Sequence, residues 1–142
     1  MKNPLTNPLL KRLLLGMTVC SAMVCSLAVA ETLVMEFKGS ASRSTPEFEV
    51  KAPWILDWRI STEGAYESAV DISLIEAGTG VHQGRVLMTK YPGNGVKLFD
   101  EYSGEYYFRV DSSFATWTLK VYELTEDEAQ QYTPRKNDGP IR

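Results

Sequence analysis

The stretch SGEYYFRVDSSFATWTLKVYEL, Ser103 to Leu124, alternates apolar and polar side chains on both sides of a small polar break. Successive side chains of a strand point to opposite faces, so the pattern describes two half-buried strands. Tyr106, Phe108 and Val110 form one apolar row; Trp117, Leu119 and Val121 form the other. Joined as a hairpin, the strands would pair Val110 with Trp117, Phe108 with Leu119 and Tyr106 with Val121. Tyr107, Arg109, Lys120 and Tyr122 would then share an outward face, an aromatic and basic stripe on an otherwise acidic protein. Interfaces favour tyrosine and arginine, which makes the stripe a candidate contact surface. Tyrosine is equally at home on a half-exposed sheet, so the stripe can also be plain sheet surface. In a Greek-key sandwich the two strands would sit in different sheets, and the register would lapse.

The same alternation runs upstream from Leu33. Leu33, Met35 and Phe37 share a face, as do Phe48 and Val50, then Trp54, Leu56, Trp58 and Ile60, then Val70, Ile72 and Leu74. Val86 to Tyr91 reads as a strand, Pro92 to Gly95 (PGNG) as a tight turn and Val96 to Phe99 as its return. No segment in this range has the 3.6-residue period of an amphipathic helix. Seven or eight short strands with turn signals between them predict an all-β fold, an antiparallel β-sandwich.

The ends read differently. Residues 1–30 begin with Lys2, Lys11 and Arg12, continue through the apolar run Leu13 to Leu27 and close on Ala28-Val29-Ala30. That is the form of a secretory signal peptide cleaved after Ala30, with an uncleaved anchor as the alternative. The expected organisation is a leader over 1–30, a sandwich domain over 31–124 and a flexible polar tail over 125–142, with one helical turn at Glu126 to Gln130. The product would be periplasmic or secreted, with no membrane span in its mature form. Both cysteines, Cys20 and Cys25, lie in the leader, so the mature domain is held by its core without disulfides. The leader carries three of the 15 basic residues and none of the 18 acids, so the mature chain is more acidic than the net −3 of the whole. Such a surface repels phosphate backbones and disfavours nucleic acid as a partner.

Phe48-Glu49-Val50, the strand Val70-Asp71-Ile72-Ser73-Leu74 and the closing run Ser103 to Val110, with a glycine ahead of paired tyrosines, together resemble the small secreted jelly-roll modules found beside bacterial peptidases, the pre-peptidase C-terminal type. The resemblance implies a binding or export appendage and not a catalyst. Trp54 and Trp58 lie outside its pattern.

Little chemistry competes with that expectation. His82 is the single histidine, in a glycine-rich segment without a serine elbow, so neither a zinc site nor a Ser-His-Asp triad is expected. Asp100, Glu101 and Glu105 lie near one another in sequence and are the only candidates for a weak calcium site. No cofactor is expected. Trp58 and Trp117 fall on core parity, as does Trp54, which follows Pro53 at a strand entrance and is a candidate ligand platform. The expected function is therefore an exported, non-catalytic module that binds a protein partner of the envelope through Tyr107, Arg109, Lys120 and Tyr122. The alternative is a glycan-binding module that uses exposed aromatics.

Overall fold

A computed structural model describes residues 31–62, 64 and 67–133; the expected leader and the end of the tail lie outside these residues. The chain forms β1 (Thr32–Gly39), β2 (Arg43–Ser44), β3 (Phe48–Val50), β4 (Trp54–Thr62), β5 (Ala69–Glu76), β6 (His82–Thr89), β7 (Gly93–Phe99), β8 (Gly104–Ser113), β9 (Ala115–Glu123) and α1 (Glu126–Tyr132). One sheet has the order β1-β9-β4-β7; in the other, β2 and β3 both pair with β8, which is followed by β5 and β6. Every pairing is antiparallel. With β2 and β3 taken as one interrupted strand, each sheet has four positions, and every connection except β5–β6 passes from one sheet to the other. That is the jelly roll, an all-β antiparallel sandwich.

The interruption between β2 and β3 has a local cause. Pro46 has no N–H to give the ladder, and the buried Thr45 takes over: its amide donates to the Phe108 carbonyl at 2.8 Å and its Oγ1 accepts from the Phe108 amide at 3.0 Å. The β5–β6 hairpin turns on Gly78 and Gly80, at φ of 81° and 69°. There the Gly80 amide donates to the Glu76 carbonyl at 3.0 Å, and the Thr79 hydroxyl to the Glu76 carboxylate at 2.6 Å.

Aromatic rings fill the space between the sheets. Trp54 stacks on its cross-strand partner Phe99 with centroids 4.0 Å apart, and meets Phe48 of the opposite sheet edge-on at 6.0 Å. Phe48 in turn stacks on Phe108 at 5.1 Å and tilts against Phe37 at 5.8 Å. The Trp54 Nε1–H donates to the Tyr102 carbonyl at 2.7 Å, so even the polar edge of the ring is satisfied. Burying each such side chain is worth about 1.5–3 kcal/mol.

Four expectations change. First, β8 and β9 do not form a hairpin: β9 lies between β1 and β4, and β8 between β3 and β5. The apolar rows of both strands point into the core from opposite sheets, which alternation alone cannot distinguish from one shared face. Second, PGNG is not a turn between paired strands. Gly93 and Gly95 lie within β7, Gly95 directly opposite Trp58, and a Cβ on Gly95 would sit 2.6 Å from that indole. The glycine is there to admit the ring. Third, a bulge at Val34 shifts the register, so Leu33 pairs outward with Tyr122 and not inward with Phe37.

Fourth, the segment after Leu124 carries more structure than one turn. Thr125 and Glu128 form a reciprocal capping box that starts α1, which lies against β7 and buries Ala129. Ile55, outward by parity and flanked by Leu98 and Tyr122, is 1% exposed on that helix-bearing side. The Tyr132 hydroxyl donates to the Glu31 carboxylate and ties the end of the helix to the strand-entry end of β1.

Two outcomes are expected. A Cβ on Gly39 would lie 2.3 Å from the ring of Trp117, which is buried and pinned by a 3.1 Å bond from its Nε1–H to the Ala41 carbonyl. Gly39→Ala should therefore destabilise by about 1–3 kcal/mol in thermal unfolding; an unchanged transition would contradict the ring-on-glycine packing. The bond to Glu31, with burial and the charge of Glu31 adding to it, pushes the Tyr132 phenol from its ordinary 10.0 up to about 12. Since folding favours the neutral phenol, its contribution is complete below about pH 10 and is lost as pH rises toward 12. Helix docking should weaken across that window in the wild type, whereas Tyr132→Phe should lack that component in the difference between their pH titrations.

Candidate functional site

The four residues of the expected stripe divide between two surfaces. Tyr107 and Arg109 lie on β8 and face outward from one sheet; Lys120 and Tyr122 lie on β9 and face outward from the other. The two outward faces point in opposite directions, so the stripe does not exist as one contact surface. Each member has a place in its own sheet. Tyr107 is half-buried beside Ile75, an outward isoleucine only 1% exposed, and Arg109 lies between Ser44 and Ser73. Tyr122 sits between Leu33 and Ile55, and Lys120 between Glu36 and Asp57. Aromatic–aliphatic and opposite-charge neighbours of this kind are what stabilise a sheet face.

The Lys120 row is a ladder of alternating charge. Lys38 Nζ contacts Glu36 at 3.0 Å, and Arg59 lies 3.9 Å from Asp57. The hydrogen bond from Lys38, with added attraction from Lys120, holds the Glu36 carboxyl below its ordinary range. Trp54 is fully buried, so it is a core ring and not a ligand platform. Trp117 is 2% exposed; Trp58, half-buried, packs its ring over Gly95.

Neither the calcium candidates nor the histidine come together with partners. Glu105 faces outward on β8 opposite Glu49, whereas Asp100 lines a cleft between the edges of β6 and β7. Among the described residues no group of three or more His, Cys, Asp or Glu side chains is close enough to hold a metal ion. His82 is exposed at the start of β6, opposite Ile75.

The feature that strand parity missed lies at one end of the sandwich, where the β4–β5 and β6–β7 connections meet. Because β6 and β7 belong to different sheets, the short link between them must cross the end of the core, and Tyr91 stands out from it at 76% exposure. The link is held from within. Thr89 Oγ1 donates to the Tyr91 carbonyl at 3.0 Å and accepts from the Tyr91 amide at 3.1 Å. The buried Ser68 hydroxyl donates to the Lys90 carbonyl at 2.9 Å, and Pro92 fixes the backbone on the other side. A large ring is thus presented to solvent on a backbone already restrained, so ordering it on binding costs little. Beside it opens a cleft of about 440 Å³, whose lining includes Thr62, Glu67 and Lys90. Lys90 also lines a smaller cleft of about 150 Å³ that continues over the outer face of β5, β6 and β8 past Asp71 and Asp111. The signal available in the sequence was an aromatic next to a proline in a three-residue break, Lys90-Tyr91-Pro92.

No family model and no curated protein matches the chain. Among solved structures, the C-terminal domain of A223, a structural protein of Sulfolobus turreted icosahedral virus, matches with a TM-score of 0.36 and 14% identity over 68% of this chain and 100% of that one. A carbohydrate binding module, CBM6cm-2 from Cellvibrio mixtus lichenase 5A in complex with cellotriose, matches with a TM-score of 0.38 and 6% identity over 68% of this chain and 92% of that one. The jelly-roll assignment stands on this chain's own strand order; the pre-peptidase family is not matched.

Thr89→Val keeps the β-branched shape and removes both bonds of Oγ1. Its expected effect on global stability is within about 1.5 kcal/mol, with clearly faster hydrogen exchange at the Tyr91 amide. Unaltered exchange at Tyr91 would show that the link is held by something else.

Proposed function

We propose that the chain is an exported, non-catalytic β-sandwich that acts as a binding module of the bacterial cell envelope or secretome, with its contact surface at the Tyr91 end. The observation that carries this reading is the restrained, solvent-facing Tyr91 beside a cleft, the combination of rigid aromatic anchor and concave surface that recognition sites use. The outer sheet faces serve the fold: their tyrosines cover Ile75 and flank Ile55, and their charges pair along and across strands. Among the described residues, Glu36 owes its lowered pKa to the hydrogen bond from Lys38 and Tyr132 its raised one to the bond with Glu31. For Tyr106 the cause is burial, followed by the charge of Glu76. The export half of the reading rests on the basic, apolar and small-residue succession of Lys2 to Ala30. No helix among the described residues is long and apolar enough to cross a membrane.

Expressed with its full sequence in a bacterial host, the protein should be recovered from periplasm or medium with Glu31 as its first residue. Immobilised, it should capture material from envelope or culture-medium fractions. Tyr91→Ala should abolish capture, and Tyr107→Ala with Tyr122→Ala should leave it in place. Retention of the uncleaved chain in membranes would overturn export, and capture that survives Tyr91→Ala would overturn the assignment of the contact surface.

A further inference from the structure

The geometry points to a neutral polysaccharide as the ligand of the Tyr91 end, an inference that rests on the binding-module reading and gives it a chemical class. Pyranose rings offer an apolar face of C–H bonds and a rim of hydroxyls. A site for them needs an exposed aromatic face, whose negative quadrupole attracts polarised C–H groups, together with acceptors and donors for the rim. Tyr91 supplies the first. Glu67 supplies carboxylate oxygens that accept from adjacent hydroxyls, and the Lys90 ammonium donates to a hydroxyl or ring oxygen. Neither Glu67 nor Lys90 makes an ion pair among the described residues, so both heads are available to a ligand.

Shape favours a chain over a single sugar. The cleft beside Tyr91, about 440 Å³, is within the range of about 300–1,000 Å³ that ligand sites occupy. Lys90 also lines the second cleft, where Thr89 and Asp111 supply polar groups beside Ala69, Val70 and Met88 and Asp71 is held by Arg85 at 2.9 Å. An extended polymer can lie along both. Charge decides the class: Glu67 and Asp111 flank a single lysine on a protein of net −3, so uronic acids and phosphate-bearing polymers are repelled while neutral hydroxyls are not. A protein partner needs roughly 800 Å² from each side, which two small clefts and one tyrosine do not offer unaided.

The test is affinity electrophoresis of the exported protein in gels containing a neutral mixed-linkage β-glucan, a neutral galactomannan or polygalacturonate. At least one neutral polymer should retard it and polygalacturonate should not. Tyr91→Ala should weaken the retardation by about tenfold or more, Glu67→Gln should weaken it less, and Tyr91→Phe should retain most of it. Tyr91 is exposed, so its variants should fold, which circular dichroism checks. Retardation by neither neutral polymer, by polygalacturonate equally, or unchanged in Tyr91→Ala would overturn the inference. Protease treatment of the envelope fraction separates the two failures. Protease-sensitive, Tyr91-dependent capture without retardation leaves a binding module with a protein partner; no capture and no retardation removes both readings.

Discussion

The fold depends on one aromatic contact that crosses the core. Trp54 lies flat against Phe99 within its own sheet and edge-on to Phe48 in the other, with its indole N–H bonded to the Tyr102 carbonyl. Three strands and the β7–β8 connection are therefore fixed relative to one ring. Phe48 passes the contact to Phe108 and Phe37, so the central strand of one sheet and the edge strand of the other are located by the same cluster. Stacked and edge-on pairs carry an orientation preference beyond their buried area, which is why these rings set the position of the sheets as well as holding them together.

Close approach is the second requirement. Trp117 and Trp58 each lie over a glycine on a neighbouring strand, Gly39 and Gly95, where a methyl group would overlap the ring. Large rings at two strand positions are accommodated by removing side chains at two others. The outer faces are then committed to local partners: α1 docks on one sheet near β7, and Tyr107 shields Ile75 on the other. The ends, where chain crosses between sheets, are left outside these contacts, and the end carrying Tyr91 combines exposure with restraint.

Strand parity made the fold legible. The apolar rows of β5, β8 and β9 and all of the β4 row but the half-buried Trp58 are buried as the alternation predicts, and the eight strand positions form the expected sandwich. Connectivity was not legible, because period two fixes which side chains point inward but not which sheet supplies them. That single ambiguity produced both the β8–β9 hairpin and the stripe built on it, while the possibility of separate sheets was also in the pattern. One glycine pair misled: Gly93 and Gly95 look like turn residues until the position of Trp58 is known. Trp54 at a strand entrance looks accessible in one dimension and is fully enclosed in three. Tyr91 reads as the end of a strand from Val86, and its neighbour Pro92 is the one local mark that the strand has already ended.

The claim beneath all of this is that β8 and β9 belong to opposite sheets, joined through the aromatic core and not through hydrogen bonds to each other. A nuclear Overhauser spectrum of the folded protein tests it directly. The account requires cross-strand backbone contacts from β9 to β1 and β4, such as Leu119 with Phe37 and Trp58, and side-chain contacts between the rings of Trp54 and Phe48. Backbone contacts between Val110 and Trp117 or between Phe108 and Leu119 would instead establish the hairpin. They would restore Tyr107, Arg109, Lys120 and Tyr122 to one face and contradict the structure described.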